Sequence, residues 1–361
     1  MNAEMPRMKI GIYTESITQF VEHLCFFLTL GGRHEIVLRF DRDALEKTSD
    51  HQWSLPRVQT LPGVDPAPIG SDDPEVGTLL IHTKPYRRVG GREVLRWAEK
   101  AGRVVVLGDR APGSLRQLAN DLRHNLPYAR RADAAFLQSC PADRNPYFWI
   151  RRVGFYRPYA HPQLLCHPAW RSAFERALDP ATDGPRPFHF CYIGATEPPE
   201  RAAVLAAVKQ ELKALGYEFT SDPAIAQSRP DQAKLAFWVE YGADDHSAAL
   251  EPDGYLAVMQ RSRFCLSPEG YGYWTHRTAE ALCCGAIPIL QHPERYLLGL
   301  QDGRHCLHVA GGDWGAAVRR AAALLAEDAE PMREAVAALR TGELTFGGVA
   351  RWTEENLFLS A

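Results

Sequence analysis

The stretch from Phe264 to Leu290, FCLSPEGYGYWTHRTAEALCCGAIPIL, constrains the fold more tightly than any other part of the chain. A short apolar run, Phe264-Cys265-Leu266, is broken by Pro268, Gly270 and Gly272. Thr275 then stands where a helix N-cap belongs, with a hydroxyl able to accept from an orphan backbone NH. A helix is predicted from about His276 to Cys284, with Gly285 as its left-handed stop and Ile287 to Leu290 as a buried parallel strand. Strand, glycine loop, helix and strand in this order leave one helix N-terminus facing a ligand crevice, which is the layout of a phosphate-binding site.

On that helix His276 and Glu280 are four positions apart and Arg277 and Glu280 three, so all three side chains share an edge near the first turn. Unpaired NH groups and the positive end of the helix dipole favour an anion there, and Arg277 adds a permanent charge. A nucleoside diphosphate fits such an edge. Glu280 then either orients Arg277 or accepts from a ribose hydroxyl, while an ordinary surface ion pair would use the same spacing.

The longer pattern narrows the choice. Phe264-Cys265-Leu266, Pro268, Gly270, Arg277, Glu280-Ala281 and Gly285-Ala286-Ile287-Pro288-Ile289 resemble the carboxy-terminal signature of exostosin-like glycosyltransferases, within the wider GT-B superfamily. The resemblance implies an α/β chain of GT-B type, with two Rossmann-like domains and a cleft between them. It places a nucleotide-sugar donor on this segment, with Arg277 on the pyrophosphate and Glu280 at the ribose. The aromatic loop Tyr271-Gly272-Tyr273-Trp274 departs from the family pattern, so sugar and acceptor contacts do not carry over.

Composition is compatible with this reading. The 361 residues suffice for two domains, and 45% apolar with 24% charged residues is ordinary for a globular protein. A net charge of −3 with dispersed Lys and Arg gives no nucleic-acid footprint. The longest apolar helix pattern, Ile17 to Leu30, is interrupted by Gln19, Glu22 and His23 and is too short to span a bilayer. With no signal-peptide pattern either, a cytoplasmic location is expected. The eight cysteines lie in apolar contexts without CxxC pairs, and the thirteen histidines show no HxxxH or HxH spacing. Asp244-Asp245-His246 lacks the spacing of a metal-binding DxD, so no metal site is expected.

Hydrophobic periodicity divides the chain in two. Strands are predicted at Lys9 to Thr14, Glu35 to Phe40, Thr78 to His82, Arg103 to Leu107 and Ala134 to Leu137, with helices over Ile17 to Leu30, Gly91 to Ala101 and Ser114 to Leu122. These form a Rossmann-like acceptor-side domain over residues 1–155, without a dinucleotide GxGxxG. Prolines break the periodicity over 156–187, which reads as a linker around one helix at Ala169 to Ala177. A second Rossmann-like, donor-binding domain follows over 188–345, opening with a strand at Phe188 to Ile193 and a helix at Arg201 to Leu215. Gly194 lies between them at the carboxyl edge of the sheet, where open α/β folds bind ligands. Residues 346–361 read as an amphipathic helix; in GT-B relatives such a helix crosses back to the first domain.

These features make the donor-binding candidates Gly194, Gly270, Tyr271, Gly272, Thr275, His276, Arg277 and Glu280. The base that takes a proton from an acceptor is expected on the first domain, where Glu15 and Asp109 directly follow strands and His82 ends one. Lys84, Arg110 and Arg157 are further cations of that domain. Glu269 and Glu280 have ten residues between them, whereas many retaining GT-B enzymes have seven between their paired glutamates, so inversion is expected. The combined expectation is a metal-independent glycosyltransferase, hexosyl or pentosyl, with no cofactor beyond its nucleotide-sugar co-substrate and with a glycan, lipid-linked, small-molecule or protein acceptor. Two alternatives share the architecture: a nucleotide-sugar epimerase and a non-catalytic nucleotide-sugar-binding partner protein.

Overall fold

The computed structural model describes residues 6–15, 17–41, 50–70, 73–83, 92–108, 116, 119, 123, 128, 132–138, 156–159, 170–225, 234–242, 250–270, 275–296, 298–327 and 329–359. The chain forms two compact units, Met1–Gln163 with Val349–Ala361, and Leu164–Gly348. Each unit holds a parallel sheet flanked by helices, the mixed α/β arrangement of a GT-B chain with two Rossmann-like domains.

In the first unit the strands are β1 (Lys9–Thr14), β2 (Glu35–Phe40), β3 (Val64–Pro68), β4 (Thr78–Thr83), β5 (Arg103–Gly108), β6 (Ala134–Gln138) and β7 (Tyr156–Tyr159). They pair in the order β3-β2-β1-β4-β5-β6-β7. Helices α1 (Gln19–Thr29), α2 (Asp50–Gln59) and α3 (Arg92–Lys100) accompany them. Both faces of a parallel sheet are covered, so the strands are apolar on both sides. Ile10 and Ile12 of β1 join Val21, Leu24 and Leu28 of α1 on one face, while Tyr13 joins Leu79, Ile81 and Trp97 on the other. Gly11 makes room for that second layer, since a Cβ there would lie 2.7 Å from the Trp97 ring. The carboxy-terminal segment completes the first layer with Leu357 and Phe358. It is tied down by Glu354, which accepts from Arg33 Nε at 2.5 Å and lies 3.1 Å from His34 Nε2.

In the second unit the strands are β8 (Phe188–Ala195), β9 (Glu218–Thr220), β10 (Leu235–Tyr241), β11 (Ser262–Leu266), β12 (Ile287–Leu290) and β13 (Leu307–His308), in the order β13-β12-β11-β8-β10-β9. Helices α4 (Arg171–Leu178), α5 (Pro199–Ala214), α6 (Pro252–Gln260), α7 (His276–Cys283), α8 (Trp314–Glu327) and α9 (Glu330–Thr341) follow the chain, and α10 (Phe346–Glu354) begins at the end of this unit and continues as part of the first. From β8 the strand order runs outward through β10 and β9, and from β11 it runs the other way. The reversal between β8 and β11 is the topological switch point, where open α/β sheets bind ligands beyond their carboxyl ends. In the first sheet the corresponding point lies between β1 and β4.

Two expectations change. Residues 156–159 form β7, so the proline-rich stretch contributes an edge strand to the first sheet and is not linker from residue 156 onward. Thr275 occupies the N-cap position of α7 with an extended backbone, but its hydroxyl makes no capping bond. Its backbone NH donates to the Tyr296 hydroxyl at 3.0 Å and the Thr278 hydroxyl bonds the same phenol at 2.8 Å, so Tyr296 ties down this turn.

The other end of α7 closes as a Schellman motif. Ala286 NH donates to Ala281 O at 2.9 Å and Gly285 NH to Leu282 O at 3.0 Å, with Gly285 at φ 68°. Arg186 donates to Cys284 O at 2.9 Å and to Ser262 O at 2.7 Å, covering the negative end of the helix. A Cβ on Gly285 would lie 2.7 Å from Arg186 Nη2. Gly285→Ala is therefore expected to cost about 1 kcal/mol in left-handed backbone strain. A displaced Arg186 adds about 1.5–3 kcal/mol for its charged hydrogen bonds, and a fall in the urea midpoint of unfolding checks the total.

Among the described residues no helix is long and apolar enough to cross a membrane. The described cysteines Cys25, Cys191, Cys265, Cys283, Cys284 and Cys306 are buried and unbridged.

Candidate functional site

The carboxyl ends of β8 and β11 and the first turns of α5 and α7 come together in the second unit. Arg277, in the first turn of α7, reaches across to β8 and donates to Ile193 O from Nε at 3.0 Å and from Nη2 at 2.8 Å. Its guanidinium carbon stands 4.5 Å from the centroid of the Tyr192 ring, a cation–π contact that fixes the plane of the fork. Only 7% of Arg277 is exposed, and its Nη1 is buried without a hydrogen-bond partner. Burial opposes the charge, but Tyr192, Tyr255, Cys265 and Glu280 outweigh it and hold the guanidinium pKa above its ordinary value. A permanent cation with an unused donor is a site waiting for an acceptor.

A second arginine stands beside it. Arg201, in the first turn of α5, donates from Nε to Glu269 O at 2.9 Å and from Nη1 to Ala195 O at 3.2 Å. The Tyr192 hydroxyl also donates to Ala195 O, at 2.6 Å. Burial first, and then the neighbouring Arg277 charge, lowers the Arg201 pKa. Two guanidinium groups that repel one another are held together by backbone carbonyls, and an anion between them would relieve the repulsion.

The two arginines are crossed. Each lies seven residues beyond a glycine, in Gly194-x6-Arg201 and Gly270-x6-Arg277, yet each guanidinium covers the other segment's glycine. A Cβ on Gly194 would overlap Arg277 Nη2, and a Cβ on Gly270 would overlap Arg201 Nη2. Both glycines are thus spaces for arginine side chains, and their role is close approach. A cavity of about 250 Å³ opens alongside, lined by Pro198, Glu200, Arg201, Pro268, Gly270 and Gln291 among others.

Glu280 lies one turn along α7 from Arg277. It does not hold that arginine; its Oε2 accepts from the Tyr255 hydroxyl at 2.5 Å. Of the two roles foreseen for it, orienting Arg277 is therefore excluded by the geometry. His276 is half-buried at the start of α7. Glu269 Oε1 lies 3.5 Å from His292 Nε2, while its backbone carbonyl serves Arg201. Tyr271 and Gly272, together with Tyr273 and Trp274, lie outside the described residues, as do Asp244, Asp245 and His246.

In the first unit Glu15 and His82 flank the switch point of the sheet. Glu15 follows β1 and is 5% exposed; His82 is 1% exposed, and its Nδ1 shares a hydrogen bond with the Thr14 hydroxyl at 3.0 Å. Thr14 and His82 are register partners across β1 and β4. Asp109, Arg110 and Lys84 lie outside the described residues, and for Arg157 the description extends only to its place in β7.

Sequence reasoning missed Arg201, Tyr192 and Tyr255. The repeated glycine-to-arginine spacing was a signal for Arg201. Nothing in the sequence marks Tyr192, which looks like any core residue of β8.

A sequence model of the exostosin GT47 domain matches residues 130–311, half of the chain. The chain belongs to the exostosin GT47 family. It is accordingly a glycosyltransferase of the nucleotide-sugar-dependent, GT-B kind. Two solved structures share the exostosin chain's fold. The catalytic domain of Arabidopsis thaliana starch synthase IV, bound to ADP and acarbose, is 10% identical, with 97% of this chain and 98% of that one covered and a TM-score of 0.53. The N-terminal domain of Candida albicans trehalose-6-phosphate phosphatase is also 10% identical, with 100% and 98% covered and a TM-score of 0.54. Anabaena HepE in complex with UDP and glucose is 13% identical, with 97% and 99% covered and a TM-score of 0.47. A search of curated protein sequences gives no significant match.

Proposed function

We propose that this chain transfers a sugar from a nucleoside-diphosphate donor to an acceptor hydroxyl by single displacement with inversion, and needs no divalent metal. In this reading Arg277 and Arg201 hold the diphosphate, with the α7 N-terminus behind it, and Glu280 receives the ribose. The observation that carries it is the buried, unpartnered Nη1 of Arg277, set one turn from a carboxylate at the switch point of the sheet.

The chemistry follows from where charge develops. As the bond from the anomeric carbon to the diphosphate oxygen breaks, the sugar becomes oxocarbenium-like and negative charge gathers on the leaving group. Groups already aimed at that oxygen stabilise the transition state more than the ground state. Two guanidinium groups and a helix N-terminus supply the positive charge that a metal ion would otherwise bring. Both arginines are fixed by backbone carbonyls before donor arrives, so little reorganisation is needed at the moment of reaction. The acceptor hydroxyl loses its proton to a base of the first unit, with Glu15 and Asp109 as the candidates. Departure from the seven-residue glutamate spacing of retaining enzymes supports inversion, and glycan or glycoconjugate synthesis is the setting such a reaction serves.

The test is a thermal-shift series with UDP, GDP, dTDP and CMP and their sugars, with and without EDTA. A shift for one nucleotide family that survives EDTA and vanishes in Arg277→Ala is expected. A shift abolished by EDTA removes the metal-independent reading, and no shift with any nucleotide removes the donor site itself.

A further inference from the structure

Helix α6 packs beside α7 in the second unit and presents Tyr255 to it. Tyr255 is 9% exposed, and its ring meets the Trp170 ring edge-on, with centroids 6.0 Å apart. Its hydroxyl donates to Glu280 Oε2 at 2.5 Å, and among the described residues Oε1 accepts no hydrogen bond. Burial, and then the Glu280 charge, pushes the phenol pKa well above its ordinary value, so Tyr255 keeps its proton and remains the donor. The carboxylate is thereby fixed in rotation, with one oxygen committed and the other offered.

An ionised carboxylate accepts and does not donate, so whatever meets Oε1 must bring a hydroxyl or an amine. A phosphate is repelled there, while Arg277 on the same edge attracts one. Residues three apart on a helix have Cβ atoms about 5–6 Å apart, a span that a nucleoside 5′-phosphate covers between its phosphate and its ribose hydroxyls. We propose that Tyr255 is a positioning residue that fixes the Glu280 carboxylate for the ribose, making the site selective for ribonucleoside over 2′-deoxyribonucleoside diphosphates. This inference rests on the donor-site reading of Arg277 and Glu280, and it adds a residue that neither the family signature nor the site itself assigns.

Isothermal titration of UDP, GDP and ADP, each paired with its 2′-deoxy counterpart, into wild type, Arg277→Ala, Tyr255→Phe, Glu280→Gln and the double variant of the last two tests it. Tyr255→Phe keeps the ring against Trp170 and is expected to weaken the ribonucleotide about tenfold, the loss of one hydrogen bond to a charged group. The 2′-deoxy partner is expected to be unaffected. The double variant is expected to be no worse than Glu280→Gln, because the two groups act as one. Equal weakening of both sugars, an unmoved ribonucleotide affinity, or additive losses would overturn the proposal. So would a wild type with no preference for the ribonucleotide, irrespective of how Tyr255→Phe folds. Failure of the donor-site reading looks different: wild type binds none of the six, or Arg277→Ala binds them as tightly as wild type does.

Discussion

Arg277→Ala is expected to abolish measurable donor turnover while leaving the second unit folded. The side chain supplies the buried unpartnered donor and, with Arg201, the fixed positive charge at the α7 N-terminus. Removing one group that stabilises a developing anion costs about 10²–10³ in kcat. Loss of a charge-assisted hydrogen bond to the bound diphosphate adds about 1.5–3 kcal/mol in donor affinity. Steady-state kinetics with the donor found by thermal shift should show both kcat and kcat/KM falling. Alanine also leaves Ile193 O without its two guanidinium bonds and uncovers the Tyr192 face, at the carboxyl end of β8. Arg277→Lys is the informative companion. Lysine restores the charge but neither the two-pronged bond to Ile193 O nor the flat contact with Tyr192, so it should recover little.

Gly194→Ala is expected to reproduce most of the Arg277→Ala defect without touching a charged residue. The added methyl would occupy the space of Arg277 Nη2, which is pinned between Ile193 O and the Tyr192 ring. Either the guanidinium swings away or the β8 to α5 turn shifts, and both break the alignment of the two arginines. A misplacement of about 1 Å can cost about 100-fold in rate when catalysis depends on positioning. Kinetics of Gly194→Ala, with its thermal melting as the control for folding, check this. Wild-type kinetics in this variant would mean that Arg277 does not act from the position seen here. Gly270→Ala is the mirror experiment, because there the displaced group is Arg201.

Legibility in the sequence followed burial. The interior strands β1, β2, β4, β5, β6, β8, β11 and β12 carry apolar runs that fix their positions closely. Those that went unread, β3, β7, β9 and β13, are the four edges of the two sheets. Each is short or contains proline, as Pro66 in β3 and Pro158 in β7, because an edge strand need neither bury both faces nor donate every NH. Helix α2 escaped for a related reason: Pro56 lies inside it and its residues form no apolar stripe.

The candidate site was legible where a local rule applied. Gly285 as a helix stop, Arg277 at a helix start and Gly194 at a strand end all follow from short-range patterns. What stayed hidden required two segments at once. The Arg277 partner is a carbonyl 84 positions away, the Glu280 partner is a phenol 25 positions away, and the space at Gly194 exists for an arginine from another βα turn. Thr275 shows the limit of local rules in the other direction. Its residue type and position suit a cap, but Tyr296 serves that turn through tertiary contact instead.

The most direct measurement is a crystal structure of the protein with the nucleoside diphosphate selected by thermal shift. The expected density places diphosphate oxygens within hydrogen-bonding distance of Arg277 Nη1 and the Arg201 guanidinium, and a ribose hydroxyl on Glu280 Oε1. A nucleotide bound elsewhere, with Arg277 Nη1 still unpartnered, would contradict the site.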